Sequence, residues 1–221
     1  MLKENLADQL RADIMSGKLR PGDSIVEGIW AAKLKVAQAS IREALNILAS
    51  EGFVQKDSGR TAQVTELSEE NVIQIYEVRA SLEGLAARLV AEKKPCLSEL
   101  DQVVADMRAA AQCNNLAAFY QRDLRFHLLV CEKSGNPFLE QAVRRLVGPL
   151  FAFVVMRLHS QNRDPRYWET SVEEHEQMVE ALRSGDPEFA EHQFAQTIRK
   201  FFSETHSLLH KEKMALLSAA N

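Results

Sequence analysis

Positive charge is not in excess in this chain. Its 27 Lys and Arg stand against 31 Asp and Glu, a net charge of −4, so the field of the whole molecule does not favour nucleic acid. Long apolar runs are missing too. None approaches the ~18–20 residues that cross a bilayer, and Met1-Leu2-Lys3-Glu4 has no signal-peptide character. Together these absences predict a cytoplasmic protein without a membrane partner. Cysteine is scarce: Cys96, Cys113 and Cys131 are odd in number and nowhere spaced as CxxC. That argues against a disulfide framework or thiolate metal site and predicts reduced, mostly buried thiols. No internal repeat is visible. There is no nucleophile elbow, and His175-Glu176 lacks the second histidine of an HExxH helix, so a metal-dependent hydrolase lacks its parts.

What is present is an ordinary globular composition, 46% hydrophobic over 221 residues, enough for one large domain or two small ones. Charge is distributed unevenly. Residues 1–66 carry nine groups of each sign, so the −4 resides in 67–221. Within 28–64 the balance turns positive, with Lys33, Lys35, Arg42, Lys56 and Arg60 against Glu43, Glu51 and Asp57.

Leu6, Leu10 and Ile14 recur at four-residue steps, predicting an amphipathic helix over Lys3–Ser16. Gly17 suits a left-handed terminus, and Arg20-Pro21-Gly22-Asp23 a turn. A short second helix is expected over Glu27–Leu34 and a third over Ala37–Glu51. The third carries Ile41, Leu45 and Leu48 on one side and Gln38, Ser40 and Arg42 in its first turns. A helix that reads the major groove needs that division, with one face in a core and polar groups near its N-terminus. Phe53–Lys56 and Ala62–Thr65 read as strands around the loop Asp57-Ser58-Gly59-Arg60-Thr61. Three helices and a hairpin make a winged helix-turn-helix.

From Glu69 onward strand signals disappear. Helical patterns cover 69–94, 98–113, 115–134, 137–162, 166–184 and 187–215, separated by Pro95, Asn114-Asn115, Gly135-Asn136-Pro137, Asp164-Pro165 and Gly185-Asp186-Pro187. The expected fold is mainly α. A winged helix-turn-helix over 1–66 precedes an all-α bundle over 69–221, joined through Glu66-Leu67-Ser68.

Asp123 and His127 lie four apart on one helix, able to chelate one ion. His175 stands on another helix, between Glu174 and Glu176. Arg79 and Glu83 are one helical turn apart, an arrangement that fits an intrahelical ion pair. Asn136 fits an N-cap before Pro137. His206 and His210 read as a solvated face. Phe151, Phe153, Phe189, Phe194, Phe201 and Phe202 read as core or dimer contacts, which spacing does not separate.

The N-terminal part resembles the GntR family of bacterial repressors. The resemblance rests on Ser16-Gly17-Lys18-Leu19-Arg20-Pro21-Gly22-Asp23, Glu27, Arg42-Glu43-Ala44-Leu45, Glu51-Gly52-Phe53-Val54 and Gly59-Arg60. The bundle resembles that family's FCD ligand-binding domain in Tyr76-Glu77-Val78-Arg79, Leu82-Glu83, Asp123-Leu124-Arg125-Phe126-His127, Ser134-Gly135-Asn136, Glu174-His175 and Gly185-Asp186. The resemblance implies a homodimeric repressor on an inverted-repeat operator in double-stranded DNA, with a small carboxylate effector in the bundle. It also implies DNA contacts from Gln38, Ser40, Arg42, Gly59, Arg60 and Thr61. Asp123, His127 and His175 match metal ligands for a divalent ion (Zn, Mn or Ni), and Arg79, Glu83, Asn136 and Thr197 would face the effector.

The chain departs from the family pattern at three places. Ala37-Gln38-Ala39-Ser40 stands where Ser-Arg-Thr-Pro is frequent, so Gln38 replaces a base-reading Arg and predicts an adenine preference. Thr61 replaces the second wing glycine. Thr197 occupies the register of the third metal-binding histidine, with His192 and Gln196 nearby. Three ligands still suffice for an ion; without one, the same residues make a polar pocket, and a constitutive DNA binder whose bundle only dimerises is the alternative.

Overall fold

The computed structural model describes residues 2–56, 61–158 and 166–219, with side chains at 155–158, 166 and 204–219 left aside. Gly59 and Arg60 of the expected wing tip, and the side chains of His206 and His210, therefore lie outside the described residues.

The first unit comprises α1 (Leu2–Met15), β1 (Ser24–Val26), α2 (Glu27–Leu34), α3 (Gln38–Ser50), β2 (Val54–Lys56) and β3 (Thr61–Val64). Leu6, Leu10 and Ile14 of α1 are buried with Ile41, Leu45 and Leu48 of α3, so the two apolar stripes close on one core. Between α2 and α3 the chain turns at Lys35, held left-handed at φ 55°, with its N–H directed at the carbonyls of Ala31 and Ala32.

β1 is a strand the sequence reading did not anticipate. It pairs antiparallel with β3 in the order β1-β3-β2, with Ile25 opposite Ala62. Ile25, Ala62 and Val64 point inward, whereas Thr61 and Gln63 stay exposed. The hairpin is thus a three-stranded sheet whose third strand ties the start of α2 to the wing.

The second unit consists of α4 (Glu69–Lys93), α5 (Ser98–Gln112), α6 (Leu116–Lys133), α7 (Pro137–Leu158), α8 (Arg166–Ser184) and α9 (Pro187–Ala219). Their starts follow local chemistry. Ser68 and Asn71 form a reciprocal capping box on α4, Asn115 caps α6, and Asp186 accepts the N–H groups of Glu188 and Phe189 at α9. α9 lies along α4, and α5 packs on α6 and α8. Phe151, Phe153 and Phe194 are buried, Phe201 and Phe202 stand against the Tyr76 ring, and Phe189 is half exposed. The cysteines correct one expectation. All three are free thiols, but only Cys131 is buried, its ionisation suppressed by that burial, while Cys96 and Cys113 are exposed beside helix ends.

The two units touch along α7. Phe53 is buried against Gly148, where a Cβ would come within 2.8 Å of the ring. Gly52, at φ 80°, sits so close to α7 that a Cβ would run into the Arg145 carbonyl oxygen, with Pro149 beside it. Both glycines are required by this approach of backbone to helix.

Candidate functional site

Four helices bring the expected pocket residues together. Arg79 and Glu83 come from α4, Asp123 and His127 from α6, His175 from α8 and Thr197 from α9. Arg79, Glu83, Asp123, His127 and His175 are all at most 6% exposed. Charged groups at such depth must pair, and here each does. The Arg79 Nε donates to Glu83 Oε1 at 2.5 Å, and the other Glu83 oxygen stands 2.5 Å from His127 Nδ1. On the far side of the ring, His127 Nε2 is 3.2 Å from Asp123 Oδ1, and His175 Nε2 reaches the same oxygen at 3.2 Å.

The ring orientations carry chemical information. His175 Nδ1 lies 2.7 Å from the Ser171 carbonyl, which only accepts, so that nitrogen carries the hydrogen. His127 Nδ1 donates likewise to the Glu83 carboxylate. In neutral rings both Nε2 atoms are then lone pairs aimed at a carboxylate oxygen. Three acceptors converge, and either protons or a cation must lie between them. The ligand atoms of Asp123, His127 and His175 all lie within 4.8 Å of one another, and two imidazoles with one carboxylate suit a divalent ion with open positions. Glu83 and the Ser171 carbonyl are the outer partners that fix ring tautomers at metal sites. The residues present therefore fit such an ion, and Thr197 lines the same cavity.

Electrostatics agree with this pairing. Burial alone would raise the Glu83 carboxyl, but Arg79 and His127 overcome it and hold the group at about 2. When the two imidazoles also carry protons at Nε2, they hold Asp123 far below the carboxylate range against its burial; a cation in their place would do the same. For His127, burial disfavours the charged ring, yet the Glu83 carboxylate raises its affinity for a proton.

A cavity of about 30 Å³ opens on this cluster, lined by Arg79, Asp123, His127, His175 and Thr197 with the aromatic walls Tyr76, Tyr120, Phe151 and Phe201. The Arg79 guanidinium lies 5.2 Å from the Phe151 ring centroid and 5.6 Å from that of Tyr76. A wider groove of about 650 Å³ between α8 and α9 shares Glu174 and Thr197 with the cavity. At its edge Lys200 Nζ stands 2.7 Å from Glu174 Oε1.

Two expected effector residues are elsewhere. Asn136 accepts the Leu139 N–H as the N-cap of α7 and does not line the cavity. Glu83 is fully buried behind Arg79 and His127, so it supports the pocket without facing it. The sequence reading missed Tyr76, Tyr120 and Ser171, each three or four residues before a predicted site residue on the same helix face; that helical spacing is the signal that could have found them.

In the winged unit, Gln38 and Ser40 are half-buried and Arg42 is exposed on the first turns of α3. Ala37 precedes that helix with no side-chain cap, and its carbonyl accepts the Ser40 N–H at 2.9 Å. Thr61 is exposed at the start of β3. Glu27, at the start of α2, is 1% exposed and gathers these groups. It accepts Gln38 Nε2 at 3.2 Å, Arg42 Nε at 3.1 Å and Arg42 Nη2 at 2.9 Å, with Lys56 Nζ 3.8 Å away. Hydrogen bonds from Arg42 hold its carboxyl below the usual range despite burial.

Comparisons with known proteins agree with this architecture. The family described as "Bacterial regulatory proteins, gntR family" matches residues 2–64, and the FCD domain matches residues 74–200. The chain is 26% identical to the "Probable D-xylose utilization operon transcriptional repressor" of Paenarthrobacter nicotinovorans, over 93% of this chain and 91% of that protein. It is 26% identical to the "Gluconate operon transcriptional repressor" of Bacillus subtilis (strain 168), over 82% of this chain and 75% of the relative. Among solved structures, E. coli McbR/YncC superposes with a TM-score of 0.78 at 20% identity, covering 95% of this chain and 99% of that one. No described helix is long and apolar enough to cross a membrane. With a gntR-type helix-turn-helix unit followed by an FCD bundle, this chain belongs to the GntR family of bacterial transcriptional regulators.

Proposed function

We propose that this regulator is a cytoplasmic repressor that binds an inverted-repeat operator in double-stranded DNA as a homodimer, and that a small carboxylate entering the 69–221 bundle controls its grip. DNA is met by the 1–66 unit, through Gln38, Ser40 and Arg42 on α3 and the wing residues Gly59, Arg60 and Thr61. A two-fold protein reads a two-fold site. The names of two relatives, repressors of D-xylose utilization and gluconate operons, support the repressor reading, and the gluconate operon puts a sugar acid among the first effectors to try.

The observation that carries the pocket reading is the convergence of His127 Nε2 and His175 Nε2 on one Asp123 oxygen. Asp123, His127 and His175 would hold a divalent ion, which supplies a fixed positive charge and open positions for an anion. With Arg79, Glu83 and Asp123 charged and both rings neutral, the loaded cluster carries one net positive charge and suits a monocarboxylate. Arg79 presents a guanidinium to the same cavity, anchored by Glu83 so that little freedom is lost on binding. Thr197 can hydrogen-bond the bound group.

Coupling to DNA follows from the cavity wall. The cavity adjoins the wider groove between α8 and α9 through Glu174 and Thr197, so an acid whose carboxylate reaches the cluster packs its carbon chain against Tyr76, Phe151 and Phe201 and can shift that wall. Phe151 sits on α7, and Gly148 and Pro149, less than a turn earlier, bear on Phe53 and Gly52. Moving that wall therefore bears on the winged unit. An effector that prefers one α7 position over the other shifts the population of DNA-competent dimers; equal affinity for both would shift nothing.

Thermal-shift screening of hydroxy acids, dicarboxylates and sugar acids, with and without Zn²⁺, Mn²⁺ or Ni²⁺, tests the reading. Metal-dependent stabilisation by an acid, abolished by Arg79→Ala, is expected. No response to any acid would leave the constitutive DNA binder as the better account.

A further inference from the structure

Glu27 is a buried carboxylate in the unit that would approach an anionic polymer. It stands directly behind the side chains of α3 that would face DNA, and it engages three of them or their neighbours at once. Arg42 offers Nε and Nη2 to it, Gln38 offers Nε2, and Lys56, at the root of the wing, stands 3.8 Å away. Lys56 also donates to Asn46 Oδ1 at 2.8 Å, one turn further along α3. The carboxylate is 1% exposed, whereas the Arg42 side chain is 49% exposed. Glu27 is thus covered by groups whose outer sides remain open.

Two consequences follow, and they oppose each other. The first concerns base reading. The hydrogen bond to Glu27 requires the Gln38 amide nitrogen to point inward, which fixes the amide so that Oε1 and the second N–H remain for a base edge. Adenine N6 and N7 need that acceptor and donor side by side. A free glutamine would sample both amide orientations and most rotamers, at an ordering cost on binding. The second concerns affinity. Glu27 neutralises one of the two cations beside it and draws the Arg42 fork back from phosphate, weakening the sequence-independent attraction that dominates non-specific binding.

We propose that Glu27 is a specificity-setting positioning residue, which lowers affinity for DNA in general while fixing Gln38 and Arg42 for one base pattern. The proposal rests on the DNA-binding reading given above. It differs from a purely structural role for a buried ion pair, because removing the charge should strengthen one kind of binding while weakening another.

The test is sequence selection from a random duplex library by the full-length protein, with titration against a random-sequence duplex at several salt concentrations. Wild type, Glu27→Gln and Glu27→Asp are compared, each first shown folded by circular dichroism. Glu27→Gln should bind random duplex severalfold more tightly, with a salt slope steeper by about one, and lose most of its preference at the Gln38-dependent position. Glu27→Asp keeps the charge but shortens the reach, so it should relax the preference without tightening random binding. If Glu27→Gln does not fold, the Asp variant still decides the specificity half. Unchanged preference in the variants, or weaker random-duplex binding by Glu27→Gln, overturns the proposal. If the wild type itself selects no sequence, it is the DNA-reading assignment of α3 that fails.

Discussion

His127 donates through Nδ1 to Glu83, 44 residues earlier in the chain and 2.5 Å away, and this hydrogen bond decides where the opposite nitrogen of the ring points. Nε2 is left facing Asp123, where His175 Nε2 arrives from the other side. Elemental analysis of protein purified without a histidine tag should therefore find close to one divalent ion per chain. Glu83→Gln should lower metal affinity about 10- to 100-fold while leaving all three ligands in place, as loss of an outer partner does at other metal sites. A stoichiometry near zero in the wild type would remove the metal and leave a proton-bridged polar pocket.

The Arg79–Glu83 pair is buried on both sides, at 3% and 0% exposure. Removing one partner leaves the other charge uncompensated, so Glu83→Ala should cost about 3–5 kcal/mol in denaturant unfolding. The double replacement Arg79→Met with Glu83→Leu should recover much of that loss, because a buried ion pair adds little net stability over apolar packing. Recovered stability without recovered response to acids would place the value of the pair in ligand recognition.

Contact between the two units runs through glycine. Gly148→Val keeps α7 helical but presses on the Phe53 ring. The expected result is a changed DNA affinity, or a lost response of DNA binding to acids, while acids and metal still raise the melting temperature. If DNA binding and its response stay as in the wild type, α7 is not the connection.

Acid stability gives an independent reading of Glu27. Its carboxyl is lowered in the folded state by Arg42, so its stabilising contribution is present above the unfolded value of ~4.3 and is lost as pH falls through the folded value. Between about pH 5 and pH 3, the wild type should lose melting temperature more steeply than Glu27→Gln. Parallel pH profiles would show that the pair contributes nothing to the fold.

The sequence made the helices legible because their apolar residues keep a helical period between breakers that also act as caps, as Asn115 and Asp186 do. β1 escaped because three residues offer no period, and its only signal is that Ile25 is apolar between two turns. Arg79 with Glu83, and Asp123 with His127, were visible because a four-residue step puts both partners on one face. The link from Glu83 to His127 was not visible, because it joins two helices and depends on their packing. Asn136, by contrast, caps its own helix as its place before Pro137 suggested. The hub at Glu27 could not be read either, since only the crossing of α2 and α3 brings Gln38 and Arg42 to one carboxylate.

In the proposed mechanism the buried cluster in the bundle controls the hold of the winged unit on DNA. Fluorescence anisotropy of a selected duplex, titrated with D-gluconate, other sugar acids, hydroxy acids and dicarboxylates in the presence of Zn²⁺, Mn²⁺ or Ni²⁺, is the measurement that decides it. The account predicts that at least one acid releases the wild type from DNA at concentrations that leave Arg79→Ala bound. DNA affinity unchanged by every acid and metal in both proteins would contradict it.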